Sequence, residues 1–333
     1  MEVINVRNVN AALPEGLARL KEKGLQRDSR NGPVLVFPTP VTTVYEKPVE
    51  RVLFWMERDA NPFFHLFESL WMLAGRNDVS YVANFVKRMR SFSDDGKTFH
   101  GAYGHRWRFH FGFDQLSEIA TALRNNPDDR RCVLQMWDAC ADLGKQGKDF
   151  PCNTAAYFSR GVDGELNMTV TNRSNDMIWG AYGANAVHFS VLQEYMAAAI
   201  DCPVGRYWQV SNNLHAYLDT FAKVENLANS GRTCLYAEGI TPPYPLVQTP
   251  IEQWTQDLMI FLDEGPIIGL RDPFFRRVAT PMLMAHRALQ HRDDEDRFDK
   301  AREILQQCQA HDWWTAADDW VARRHDEHIR KGE

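Results

Sequence analysis

Phe150-Pro151-Cys152-Asn153-Thr154-Ala155-Ala156-Tyr157-Phe158-Ser159-Arg160, a turn at Asp163-Gly164, and Leu166-Asn167-Met168-Thr169-Val170-Thr171 form the stretch on which the fold turns. Asp-Gly between two β-rich runs is a hairpin signal, so strands are expected at 154–160 and 166–171. Working outward, Cys132 to Trp137 reads as a further strand, followed by a polar loop from Asp138 to Asp149. Val34 to Phe37 is an early strand behind the polar turn 27–33, and Tyr207 to Ser211 a late one leading into His215 and Tyr217. Helices are expected at 8–24, 61–74, 114–123 and 186–200. In the second of these, Asn61 is the N-cap, Pro62 the first residue and Gly75 the stop. Ser91 to Gly112 reads as loop. Beyond Leu246 the periodicity is helical throughout, near 251–264, 276–290, 296–309 and 312–329. The expected class is α+β, a mixed sheet with packed helices. Residues 1–245 form the main domain, and 246–333 a helical C-terminal extension packed on it.

Of the 333 residues, 44% are apolar, 25% charged and 12% aromatic, which excludes disordered, collagenous and low-complexity classes. A formal charge of −6, from 38 basic and 44 acidic residues, argues against a non-specific nucleic-acid or membrane-surface binder, yet allows a local anion pocket. No apolar run approaches the roughly 18 residues of a membrane span. The start Met1-Glu2-Val3-Ile4-Asn5 lacks the features of an export signal, so a cytoplasmic location is expected. Six cysteines lie scattered without a CxxC pair, which indicates neither a disulfide framework nor a zinc site. No metal site is expected: the histidines lack ligand spacing, and His325-Asp326-Glu327-His328 reads as an exposed helix end. Nor is there a phosphate-cradling glycine loop of the GxxxxGK[ST] or GxGxxG kind. Trp313, Trp314 and Trp320 are expected to pack as core or interface.

Several residues invite chemistry, although each alone has a plainer reading. Cys152 sits where a loop enters a strand, and nearby cations would stabilise its thiolate, but single cysteines are more often structural. Glu68, set among bulky apolar residues in a helix, has the surroundings that raise a carboxyl pKa and suit it to proton transfer. Most helix glutamates are simply solvated. Arg30, Arg130-Arg131 and Arg173-Ser174 supply the guanidinium forks and hydroxyl that grip a phosphate, whereas most arginines are surface residues.

Taken in chain order, these fragments resemble the thymidylate synthase family with its pyrimidine nucleotide hydroxymethylase branch. The resemblance rests on Glu68-Ser69-Leu70-Trp71-Met72-Leu73-Ala74-Gly75, Tyr103-Gly104-His105-Arg106-Trp107-Arg108, Asp114-Gln115-Leu116, Asn126-Pro127-Asp128-Asp129-Arg130-Arg131, Pro151-Cys152, Arg173-Ser174-Asn175-Asp176 and His215-Ala216-Tyr217. Together these cover roughly residues 27–220. Seven fragments in the right order are far more specific than any one.

The resemblance implies that Cys152 adds to C6 of a pyrimidine deoxynucleotide monophosphate, turning C5 into a nucleophile for a one-carbon unit from 5,10-methylenetetrahydrofolate. Glu68 and Tyr103 would then serve the proton network. Arg30, Arg173 and Ser174 would hold the phosphate, with Arg130 and Arg131 reaching in from the other subunit of a homodimer. His215 and Tyr217 would bind the sugar 3′-hydroxyl and Asn185 the base edge. Asp176 and Trp71 would lie toward the folate. Three departures bear on the product. Asn153 stands where synthases typically carry histidine, the tract Gly180 to Asn185 is one residue longer than usual, and the chain ends Arg330-Lys331-Gly332-Glu333 after a long helical region in place of a short apolar tail. A differently closed site favours water over hydride, so the expected activity is dUMP hydroxymethylation. Thymidylate synthesis and dCMP hydroxymethylation stand as alternatives. A silent nucleotide-binding protein and a cysteine hydrolase with a histidine paired to Cys152 are the rivals from other classes.

Overall fold

The computed structural model describes residues 1–228 and 230–332. Its strands are β1 (Glu2–Val6), β2 (Leu25–Arg27), β3 (Val34–Val36), β4 (Val41–Tyr45), β5 (Val133–Gln135), β6 (Asn153–Arg160), β7 (Leu166–Asn172), β8 (Asn175–Asp176), β9 (Val204–Ser211) and β10 (Leu214–Tyr217). Six of them form a mixed sheet in the order β1-β4-β9-β7-β6-β5, and the rest a smaller sheet, β2-β3-β10-β8. The β6–β7 hairpin is antiparallel as expected, and β7 then pairs in parallel with β9.

Strand side chains alternate between faces, so cross-strand register sorts them into rows. Leu134, Ala156, Val170, Gln209, Thr43 and Ile4 share one row, and none is more than 2% exposed. The adjacent row, Val133, Tyr157, Thr169, Trp208, Val44 and Asn5, points the other way. There Tyr157 is 45% and Val133 38% exposed. One face of the sheet is therefore core and the other is largely open.

The longer helices are α1 (Val9–Lys23), α2 (Pro62–Leu73), α3 (Gln115–Asn125), α4 (Asn185–Ala199), α5 (Ile251–Glu264), α6 (Thr280–Gln290), α7 (Arg297–Leu305) and α8 (His311–Lys331). Helix α2 starts as its sequence dictates, with the Asn61 side chain accepting from the Phe64 N–H and Pro62 in the first turn. It ends at Ala74, before Gly75 at φ +75°. Eleven of its twelve residues are buried, the exception being Glu68. Burying a large apolar side chain is worth about 1.5–3 kcal/mol, so packing on every side fixes where Glu68 stands. Phe67 stacks on Phe261 of α5, and Phe63 meets the edge of Trp320 in α8. At the start of α8, Asp312 accepts the Tyr236 hydroxyl at 2.8 Å, and further along Arg323 and Arg324 pair with Asp59. No described helix is long and apolar enough to cross a membrane.

Three of the departures from the sequence reading concern the start of the chain and the loops around the central strands. Glu2–Val6, considered only as a possible leader, is strand β1 in parallel register with the unforeseen β4. The Ser91–Gly112 loop contains helical turns at Tyr103–His105 and Arg106–His110, which close contact with α2 maintains: a Cβ on Gly104 would lie 2.0 Å from the Met72 carbonyl oxygen. The Asp138–Asp149 loop opens with a one-turn helix, Ala139–Asp142, capped by Asp138. Elements this short carry no periodicity to read.

Candidate active site

Cys152 immediately precedes β6 and lines a cleft of about 840 Å³ that it shares with Arg30, Arg173, Ser174, His215 and Tyr217. Two groups hold the cysteine's backbone. The Tyr103 hydroxyl accepts the N–H groups of Cys152 at 3.0 Å and Asn153 at 3.2 Å. The Arg173 N–H donates to the Cys152 carbonyl at 2.9 Å, while its guanidinium binds the carbonyls of Pro151 at 2.9 Å and Phe150 at 3.2 Å. Arg173 thus braces the cysteine loop, a structural task beyond the anion contact expected of it. Burial pushes the Cys152 thiol above its ordinary pKa; Arg173 and Arg30 oppose this, and Asp149 adds to it. The neighbouring cations do favour a thiolate, as the sequence suggests, but desolvation outweighs them. No histidine hydrogen-bonds its sulfur among the described residues, so the arrangement lacks the paired imidazole of a cysteine hydrolase.

The cleft's rim follows from local sequence. Ser29 and Gly32 exchange backbone hydrogen bonds, with Gly32 at φ +119°, and this turn presents Arg30. Neighbouring Asn31 donates to the Tyr217 hydroxyl at 3.4 Å. His215 shares a hydrogen bond with Asn213 at 2.9 Å and meets Tyr217 edge-on. Opposite His215 in the smaller sheet, Asp176 caps the next helical stretch by accepting from Ile178 and Trp179. Burial raises its pKa, more than those N–H groups, His215 and Arg58 lower it.

The remaining expected residues join indirectly or stand apart. Glu68 lies 3.1 Å from Nε2 of His188 on α4, without alignment for a hydrogen bond. Asn185 opens α4 one turn before His188, donates to Asn175 at 3.0 Å and accepts from Asn153 at 3.4 Å. The tract before it lies in the π-helical stretch Met177–Ala184, which breaks at Tyr182 and Gly183. Arg131 is held by Asp129 of its own turn, and it and Arg130 are exposed outside this cleft. Trp71 is only 3% exposed, with its N–H given to Asp78 at 3.1 Å. It packs beneath a loop instead of presenting a face to a ligand.

Three contributors escaped the sequence reading. His188 carried a signal in its spacing of three from Asn185 on one helical face. Asn175 lay inside a quoted motif without an assigned part. Arg58 gave no sequence signal. Its guanidinium is buried over Trp179 at 4.5 Å and donates to the Ile178 carbonyl at 2.7 Å, leaving Nη2 unpartnered. Burial lowers its pKa to about 10.

Residues 56–234 match the thymidylate synthase family model. The chain is 60% identical to the deoxyuridylate hydroxymethyltransferase of Pseudomonas phage M6, over 97% of its own length and 95% of that relative. A protein of the same name from Bacillus phage SP01 is 38% identical over 55% of this chain and 50% of its own. Another, from Delftia phage PhiW-14, is 30% identical over 69% and 66%.

Proposed function

Because the chain belongs to the thymidylate synthase family, as a one-carbon transferase, we propose that it hydroxymethylates C5 of dUMP through a covalent Cys152 adduct. The observation that carries this reading is 60% identity, over nearly the whole chain, to a deoxyuridylate hydroxymethyltransferase. The gathering of Cys152 with Arg30, Arg173, Ser174, His215 and Tyr217 in one cleft supports it.

C5 of uracil is a weak nucleophile. Addition of the Cys152 sulfur to C6 places an electron pair on the C5–C4–O4 unit, which is how C5 gains the power to attack carbon. The thiol must lose its proton as it adds, and C5 must lose its own once it is alkylated. Glu68, beside His188, is the group proposed to handle protons, with Tyr103 fixing the cysteine loop. Arg30, Arg173 and Ser174 bind the phosphate, His215 and Tyr217 the 3′-hydroxyl, and Asn185 the edge of the base. When bound, 5,10-methylenetetrahydrofolate supplies the one-carbon unit. Asp176 and the half-exposed Trp179 would lie toward its ring, with the buried Arg58 stacked against Trp179, whereas the buried Trp71 is not proposed to touch it.

The catalytic unit is proposed to be a cytoplasmic homodimer built on residues 1–245, with 246–333 as its extension. The open sheet face supports this, since Tyr157 and Val133 leave apolar surface on it. Arg130 and Arg131 lie just before β5, the edge strand of that sheet, where a second copy would receive them.

The test is to incubate the protein with methylenetetrahydrofolate and either dUMP or dCMP, weigh the product and follow dihydrofolate absorbance. A hydroxymethyl adduct of dUMP without dihydrofolate is expected. A methylated product with dihydrofolate would make the chain a thymidylate synthase, and turnover surviving Cys152→Ala would remove the covalent mechanism.

A further inference from the structure

Four side chains form a hydrogen-bonded line that begins one residue past Cys152. Asn153 Nδ2 donates to Asn185 Oδ1 at 3.4 Å, Asn185 Nδ2 to Asn175 Oδ1 at 3.0 Å, and Asn175 Nδ2 to Ser211 Oγ at 3.2 Å. Asn153, Asn175 and Ser211 are at most 2% exposed. Gly180 leaves the line its room, because a Cβ there would lie 2.6 Å from Asn175 Oδ1 and 3.1 Å from Asn185 Nδ2.

An amide has a direction. With Nδ2–H toward O4 and Oδ1 toward N3–H, Asn185 matches uracil; turned over, it matches cytosine, whose N4 donates and whose N3 accepts. Turning Asn185 alone would bring two carbonyl oxygens together at Asn175 and two amino groups together at Asn153. Both neighbours would have to turn with it. Ser211, a hydroxyl that donates or accepts, permits either direction, so the preference comes from the other end. There Asn153 Oδ1 is buried without a partner. Reversing the line would put an unpaired N–H₂ in that place, and a buried orphan donor is less tolerated than an under-used carbonyl.

We infer that Asn175 and Asn153 are specificity-determining positioning residues, which hold the Asn185 amide in its uracil-reading direction and so exclude cytosine without touching the base. This rests on the proposed reading of Asn185 as the base-facing residue.

The experiment measures kcat/KM for dUMP and dCMP in wild type, Asn175→Ala, Asn175→Asp and Ser211→Ala, with Asn185→Asp as control. Asn175→Ala removes the acceptor that orients Asn185, and the dUMP-to-dCMP ratio is expected to fall about tenfold. Ser211→Ala orphans the buried Asn175 Nδ2 donor in the present direction, whereas the turned line leaves only a carbonyl unpaired; it therefore lowers the ratio in the same direction and serves should Asn175→Ala not fold. Asn175→Asp keeps an acceptor facing Asn185, and the ratio is retained. A merely structural role would depress both efficiencies equally, and an unchanged ratio in Asn175→Ala and Ser211→Ala overturns the inference. If Asn185→Asp shifts preference toward dCMP while those two variants do not, the base reading stands and the relay falls. If Asn185→Asp leaves the ratio untouched, Asn185 does not read the base and the relay falls with it. The identity of the dUMP product judges the hydroxymethylase reading separately.

Discussion

At the scale of the residue, Cys152 shows how two opposed electrostatic effects are weighed. Arg173 and Arg30 favour the thiolate, but burial of the sulfur costs more than they return, so the thiol is raised above its ordinary pKa of about 8.5. Ligand-free enzyme should therefore react slowly with iodoacetamide at neutral pH. Its alkylation rate is expected to climb about tenfold per pH unit, without levelling before pH of about 9. A mass-resolved alkylation series at Cys152 reads this, and a plateau below about pH 8 would show that the cations win. The same weighing assigns Arg173 two tasks, since a guanidinium that braces the Phe150 and Pro151 carbonyls fixes the nucleophile's position as well as its field.

At the scale of the element, α2 and the turn at Tyr103 behave as one unit. Gly104 allows them to touch, because its missing side chain is occupied by the Met72 backbone. In Gly104→Ala the added methyl must push the turn off α2, a cost of about 1–3 kcal/mol by the usual measure of overpacking. The Tyr103 hydroxyl would move with it and release the N–H groups of Cys152 and Asn153. Thermal melting should show the loss of stability. At a temperature where the variant is fully folded, turnover should still be depressed relative to dUMP binding. Full turnover in a destabilised variant would mean that the Tyr103 contact does not position the nucleophile.

At the scale of the molecule, the sheet has one buried face and one open face, and the arginines expected to grip phosphate fall into two separate groups. Arg30 and Arg173 lie in the cleft of their own chain; Arg130 and Arg131 are exposed by the β5 edge. If they complete a partner's site, Cys152→Ala and Arg131→Ala chains should each be nearly inactive alone. Unfolded, mixed and refolded together, they should regain about one quarter of wild-type turnover, because half the dimers would carry one intact site. An inactive mixture that nevertheless forms mixed dimers would place the whole site within one chain.

Motif order and apolar spacing determined much of this from the sequence: the β6–β7 hairpin around Asp163-Gly164, the capped helix that carries Glu68, the cysteine at a strand entrance and the membership of the family. Those features are local, written in residues close along the chain, where periodicity and turn chemistry act. Tertiary structure decided what depends on residues far apart. It set the burial that raises the Cys152 thiol, brought His188 beside Glu68 across two helices, withdrew Trp71 into the core and buried Arg58 over Trp179. It also joined Asn153, Asn185, Asn175 and Ser211 into one line. No spacing rule announces a hydrogen bond between residues brought together by a sheet and a helix start, because desolvation and amide direction are properties of the packed space, not of the order of residues.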